Sequence, residues 1–198
     1  MASDTRSALV AAAAELLDQG GPAAVTLREV GRKAGVSHNA PYKHFKSKED
    51  LLAAIASREL ERQSETMNAL KPQARPIDAL RRLTRGYIRW AQNYPARFRL
   101  VFGEWKHDSH ELGEAAGKSR AMLVEIVKAA QDAHQLPRGN PERIASLLLA
   151  LAHGAVDLAL AGHLSATGKG AADPDMLADD LYALLKKSSQ TDRKYRRK

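Results

Sequence analysis

The chain contains no cysteine. That excludes a disulfide framework, a thiolate metal site and a cysteine nucleophile, and it suits a reducing, cytoplasmic setting. Aromatic residues make up only 5% of the sequence. Alanine and leucine are abundant instead, which favours helices. No stretch alternates apolar and polar residues over the length of a strand, so no β-structure is expected. The N-terminus lacks a basic segment followed by an apolar run, because Asp4, Glu15 and Asp18 interrupt it; no signal peptide is expected. Also missing are a Gly-rich phosphate loop, a His-Glu-x-x-His pair and a Gly-x-Ser-x-Gly elbow. The expectation is a protein that is not an enzyme, with no catalytic residue, no cofactor and no metal. A small helical enzyme stays as the remote alternative.

What the chain does have is charge, unevenly spread. The formal net charge is +8. Residues 26–48 carry six Lys/Arg against one Asp/Glu, whereas the flanks 1–25 and 49–70 are net acidic. Two further basic islands lie at 71–106 and 186–198, and residues 107–185 are acidic. A local basic island in an acidic surround is the electrostatic footprint of a polyanion-binding surface.

The helical periodicity is read most easily from its punctuation. Leu9, Ala13, Leu16 and Leu17 form one apolar stripe over residues 4–19, and Gly20-Gly21-Pro22 stops it. Thr26-x-x-Glu29 fits a capping box, which opens a second helix ending near Ala34. Gly35 can take the left-handed conformation at that end, and Val36 plugs the turn. Ser37 is expected to cap a short helix over 38–44, with Pro41 near its first turn. Ser47-x-x-Asp50 is a second capping box and opens a long helix to about Leu70. Lys71-Pro72 to Arg75-Pro76 marks a boundary. Helices are expected at 77–93, over a short segment after Pro95, at 118–135, at 141–163 behind Asn140-Pro141, and after Asp173-Pro174. The segment 106–114 reads as loop or helix start.

The stretch from Thr26 to Lys48 resembles the DNA-binding motif of the TetR family of bacterial regulators. The resemblance rests on Ala34-Gly35-Val36-Ser37, on Tyr42-x-His44-Phe45, and on Ser47-Lys48-Glu49 followed by Leu51. Pro41 stands where many members carry a bulky aliphatic residue. The C-terminal part resembles the sensing half of a branch of that family, at Trp90 and at His153-Gly154. The resemblance implies an all-α fold of about nine helices. A three-helix helix-turn-helix domain would occupy residues 1–48, helix 48–70 would connect, and an effector-binding and dimerisation domain would follow at 71–188. Residues 189–198 form a basic tail expected to be disordered.

The implied function is a ligand-responsive transcriptional regulator, most simply a repressor that binds a palindromic DNA operator as a homodimer. A constitutive DNA binder without an effector is the alternative. Candidate DNA contacts are Thr26, Ser37, His38, Asn39, Tyr42, Lys43, His44 and Lys48. Phosphate contacts suit Lys48 and Thr26 beside free helix amides, and Tyr42 and His44 as donors. Asn39 can pair with adenine and Lys43 can reach guanine. Candidate effector walls are Tyr87, Trp90, Tyr94, Phe98, Phe102, Trp105 and Met122, with His153 and Asp157 as polar contacts; aromatics at helical spacing also serve a plain core. The candidate dimer interface is Leu147, Leu151, Leu158, Leu177, Leu181 and Leu184. Helix 141–163 approaches the length of a membrane span, but a central Asp157 is costly in lipid, so no membrane partner is expected. Arg81, Arg85 and Arg89 form a stripe that reads as a solvated face, with an acidic effector as the lesser alternative. His107, Asp108, His110 and Glu111 read as surface polarity in preference to a metal site.

Overall fold

A computed structural model describes residues 2–71, 75–165, 167 and 172–195, with the backbone alone for residues 2, 3 and 187–195. Nine helices and no strand occur among them: α1 (Ala2–Ala24), α2 (Leu27–Lys33), α3 (Ala40–His44), α4 (Lys48–Leu70), α5 (Pro76–Asn93), α6 (Pro95–Val101), α7 (His110–Asp132), α8 (Pro141–Leu160) and α9 (Pro174–Tyr195). They fall into two compact units. The first holds the chain up to Gln63 together with Tyr94–Lys118; the second holds Ser64–Asn93 and the chain from Ser119.

The first unit is built on α1, which packs against α2, α3 and α6. Leu9, Ala13 and Leu17 are fully buried, as the apolar stripe predicts. They meet Val25, Val30, Phe45, Leu51 and Ile55 in one core, and each fully buried large aliphatic there contributes about 2 kcal/mol. The stop at Gly20-Gly21 is real: both residues leave helical geometry, Gly21 at φ 64°, although a short turn resumes through Ala24.

The sequence sets an effector-binding and dimerisation domain at 71–188; within that range, residues 94–118 pack with the first unit. One tie is Arg97 of α6. Its side chain is only 10% exposed, and it reaches Asp18 of α1 (Nε to Oδ1 3.0 Å) and Glu59 of α4 (Nη1 to Oε1 2.9 Å). Glu59 is itself only 4% exposed. Burial alone would push the guanidinium down, but the two carboxylates outweigh it and hold Arg97 above its ordinary range. Helix α7 also begins earlier than the apolar spacing suggests, at His110, because Leu112 and Ala115 are buried.

The second unit packs α5 against α8 and α9. Its core includes Met67, Leu80, Met122, Ile126, Val127, Ala145, Leu148 and Tyr182. Asn140 caps α8 through Oδ1, which accepts from the Arg143 amide at 3.0 Å. Asp173 does the same before α9, accepting from the Asp175 amide at 2.8 Å. Arg81, Arg85 and Arg89 of α5 do not face solvent alone. Arg81 and Arg85 reach Asp179 of α9 at 3.4 and 3.5 Å, and Arg89 reaches Asp175 at 2.9 Å. Helix α9 runs on to Tyr195, so the basic tail is helical in its backbone up to that residue; residues 196–198 lie outside the described chain.

Truncating Arg97 to Ala removes the 2.9 Å cation from the buried Glu59, which also has Arg62 at 3.7 Å. The expected cost is about 3 kcal/mol, seen as an earlier urea midpoint; an unchanged midpoint would contradict the structural role given to Arg97.

A second expectation concerns alkali. Burial pushes the Tyr182 phenol up to about 12 although Thr84 accepts or donates a hydrogen bond at 2.8 Å, and burial also raises Tyr87. An unfolded tyrosine ionises near 10, or about that. Above that pH the unfolded chain gives up protons that the native chain keeps, so stability is intact below about pH 10 and falls as pH climbs towards 12. Ultraviolet titration of the five tyrosines should show two late ones, and Tyr182→Phe should remove one of them.

Candidate nucleic-acid interface

The helix-turn-helix is shaped by backbone chemistry at three points. At the first, Thr26 Oγ1 accepts from the Glu29 amide at 3.2 Å and caps α2. The reciprocal half of the expected box is missing, because the Glu29 carboxylate pairs with Arg32 at 2.8 Å. At the second, α2 ends in a Schellman turn. The Val36 amide donates to Gly31 O at 3.2 Å and the Gly35 amide to Arg32 O at 3.3 Å, with Gly35 at φ 66°. Only a residue without Cβ takes that conformation at no steric cost.

At the third, the start of α4 carries a complete capping box. Asp50 N donates to Ser47 Oγ at 3.1 Å, and Asp50 Oδ2 accepts from the amides of Ser47 and Lys46 at 3.2 and 2.9 Å.

The reading helix corrects the sequence expectation. It spans Ala40–His44 and not 38–44, and Asn39, not Ser37, occupies its cap position without a side-chain cap bond. Ser37 contributes its carbonyl, which accepts from Ala40 N at 2.9 Å. The later start resolves the difficulty of Pro41. The proline falls in the first turn, where a missing N–H removes no helical hydrogen bond. Pro41 is buried, and it lies against α2 at Gly31: a Cβ on Gly31 would meet Pro41 Cγ at 2.8 Å. Sequence reasoning missed Gly31. Its signal was a glycine inside a helix, which costs about 1 kcal/mol against alanine and needs a packing reason.

Of the candidate DNA contacts, Thr26, Ser37, His38, Asn39, Tyr42 and Lys43 are exposed, whereas His44 and Lys48 are half-buried. Tyr42 and Lys43 stand on α3, and His38 and Asn39 on the turn before it. The rings of His38 and Tyr42 lie 5.9 Å apart. Lys33 and Arg32 are engaged by Glu15 and Glu29. Arg28, Lys43, Lys46 and Lys48 make no ion pair among the described residues. The island therefore keeps four cations for a polyanion.

Residues 9–55 match the family described as "Bacterial regulatory proteins, tetR family". Residues 80–185 match the one described as "Tetracyclin repressor-like, C-terminal domain". The chain belongs to the TetR family. It is accordingly a DNA-binding transcription regulator with a helix-turn-helix.

Solved structures agree in fold. A protein of unknown function from Rhodococcus sp. RHA1 is 27% identical with a TM-score of 0.79, covering 93% of this chain and 94% of its own. The regulator FadR from Bacillus subtilis, in complex with stearoyl-CoA, is 16% identical with a TM-score of 0.69, covering 90% and 96%. AibR in complex with isovaleryl coenzyme A and operator DNA is 16% identical with a TM-score of 0.66, covering 92% and 98%. No curated protein matches the chain.

The candidate effector residues are divided between the two units of this TetR-family chain. Tyr94, Phe98, Phe102 and Trp105 belong to the first, and Tyr87, Trp90, Met122, His153 and Asp157 to the second. In the second unit, Tyr87 Oη lies 2.9 Å from His153 Nδ1, and His153 Nε2 lies 3.5 Å from Asp157 Oδ2. The Tyr87 and Trp90 rings are 6.1 Å apart. Met122 is a core residue. In the first unit, Phe98 is buried against Phe102 at 5.6 Å. The indole N–H of Trp105 is buried and finds no acceptor among the described residues.

Substituting Gly31→Ala should destabilise the protein by about 1–2 kcal/mol through the contact with Pro41, against alanine's better helix propensity. The double variant Gly31→Ala/Pro41→Ala lacks Cγ at position 41 and should recover most of the loss. Thermal melts decide the matter, and a stabilised single variant would show that α2 and α3 are not held at this distance.

Proposed function

We propose that this regulator is a homodimeric repressor that binds a palindromic operator and is released by a small-molecule effector. Two observations carry the reading: an uncovered apolar face within the second unit and, within the first, a helix-turn-helix with four cations that make no ion pair among the described residues. Leu147, Leu151 and Leu158 of α8 are 62%, 53% and 47% exposed, and Leu177 and Leu184 of α9 are 37% and 64% exposed. Leu181 is half-buried and packs on the core of its own protomer, so it contributes less than its neighbours.

A surface of this kind on two helices fits an intermolecular four-helix bundle about a two-fold axis. Gly154 falls in the same column as Leu147, Leu151 and Leu158, and a Cβ there would meet nothing within 4 Å in the protomer. A mid-helix glycine with open space around it suits a crossing where two copies of α8 approach closely. Helix α8 is also long and apolar enough to span a bilayer, with mean hydropathy 1.6. Its His153 and Asp157, and its continuity with the α5 and α9 packing, favour a partner helix over lipid, and the protein is assigned to the cytoplasm.

On DNA, Lys48 and the first amides of α4, Thr26 at α2, Ser37, Tyr42 and His44 take phosphates. Lys43, with His38 and Asn39 on the turn, takes base edges. A dimer would set two reading helices in successive major grooves, roughly 34–36 Å apart. An effector that favours a wider separation lowers DNA affinity by linkage. FadR and AibR hold coenzyme A thioesters, so that class is the first to test here. Within the second unit, Tyr87, Trp90, His153 and Asp157 are the contacts to test for such a ligand; within the first, the buried indole N–H of Trp105 is a separate donor to test.

Two measurements test the proposal. A footprint on the DNA upstream of its own coding region should be palindromic, with affinity falling steeply as salt rises; sequence-blind binding alone would reject a specific regulator. Sedimentation should show a dimer that Gly154→Leu or Leu151→Glu disrupts without lowering helix content, whereas a monomeric wild type would remove the α8–α9 interface. Failure of any coenzyme A thioester to shift the melting temperature would favour a constitutive DNA binder or another effector class.

A further inference from the structure

The polar run after α6 does not converge on one point. Glu111 pairs with Arg6 at 2.6 Å, His110 with Glu114 at 3.4 Å, and His107 Nε2 donates to Asp50 Oδ1 at 2.8 Å. No group of three or more such side chains is placed to hold a metal ion among the described residues. One of these bonds ends instead on Asp50 at the start of α4, and one on Arg6 of α1. Arg6, held by Glu111, lies over the ring of Phe45 at 5.4 Å, and Phe45 closes α3. Asp50 closes the capping box of α4. Residues 107–111, which end the α6–α7 connection and begin α7, are therefore tied to Asp50 directly and to Phe45 by way of Arg6.

We infer that residues 107–111 form a strap that holds the phosphate-facing start of α4, with His107 as its positioning residue. The inference rests on the proposed phosphate contact at Lys48. Asp50 is a carboxylate at a place where a phosphate must approach. Its Oδ2 is used by the amides of Lys46 and Ser47. Without His107, Oδ1 has only water, and the side chain can turn its charge towards the ligand and release the two amides. With His107 in place both oxygens are engaged. The amides of Lys48 and Glu49, which have no acceptor among the described residues, are left for the phosphate. The strap runs on into α7, a continuous helix whose later residues Met122, Ile126 and Val127 are core residues of the second unit.

The test uses the full chain and a duplex selected on the wild-type protein from a random-sequence pool. Affinity is measured over a range of salt for wild type, His107→Ala, His107→Gln and Lys48→Ala. His107→Ala should bind roughly fivefold more weakly, with a log–log salt slope shallower by about one phosphate contact, as for Lys48→Ala. His107→Gln keeps a donor near the Nε2 position and should bind within about twofold of wild type. A purely structural role would lower thermal stability without changing the salt slope. Wild-type affinity and slope in His107→Ala, or equal weakness in His107→Gln, overturns the inference. If Lys48→Ala binds like wild type, the phosphate contact itself falls and the strap's role falls with it. If Lys48→Ala is weak and His107→Ala is not, the strap alone is refuted.

Discussion

The first unit depends on one buried cation. Arg97 joins α6 to α1 and α4 through Asp18 and Glu59, and both Arg97 and Glu59 are nearly buried. A buried ion pair is a weak source of net stability, since desolvation consumes most of the attraction. It is a strong source of geometry, because a guanidinium fork accepts only a few arrangements of its carboxylates. The apolar residues of α1 could slide by a turn against α2 and α6 at modest cost. The Arg97 fork forbids that slide. It also explains why a segment forty residues beyond the helix-turn-helix, or about that many, folds with it.

Within that frame the DNA-binding motif needs little help from side-chain packing. Its turns are closed by backbone groups: the Schellman turn at Gly35, the carbonyl of Ser37, and the box at Ser47 and Asp50. Orphan amides and carbonyls at helix ends must be satisfied somewhere, and here they are satisfied locally. The side chains between those points are released from structural duty. Tyr42, Lys43, His38 and Asn39 stay exposed for that reason. Beside the shared core at Val30 and Phe45, the close approach of Gly31 to Pro41 sets how deeply α3 sits on α2.

How much of this could be read from the sequence depended on the kind of signal. Caps and glycine stops are local, and Thr26, Gly35, Ser47–Asp50 and Asn140 behave as their residue types require. The reading helix was misjudged because two rules compete there. Ser37 is the better cap by side chain, but Pro41 is best tolerated in a first turn, and the proline decides the register. Pro72 and Pro76 punctuate the chain visibly, whereas the pairing of Arg97 with residues 79 and 38 positions away leaves no local trace, so the packing of α6 with α1 is not legible in the sequence. The effector residues were chosen by aromatic content, which does not distinguish a core residue such as Met122 from a donor without a partner such as Trp105.

The basic islands show the same limit in electrostatic form. Counted along the chain, the segment with Arg81, Arg85 and Arg89 is as basic as the helix-turn-helix. In three dimensions those three arginines are paired, because Asp175 and Asp179 of α9 lie across from them. Those carboxylates are about ninety residues away and belong to a stretch that reads as acidic. In residues 26–48 two cations are spent on Glu29 and Glu15, and four are not. Screened potential at a surface is set by charges within about a Debye length, near 8 Å at physiological salt. A basic run therefore marks a polyanion site only after its spatial neighbours have been subtracted. By that measure the helix-turn-helix island keeps its charge and the α5 stripe does not, which favours the first as the DNA face and assigns the second to holding α9 on α5.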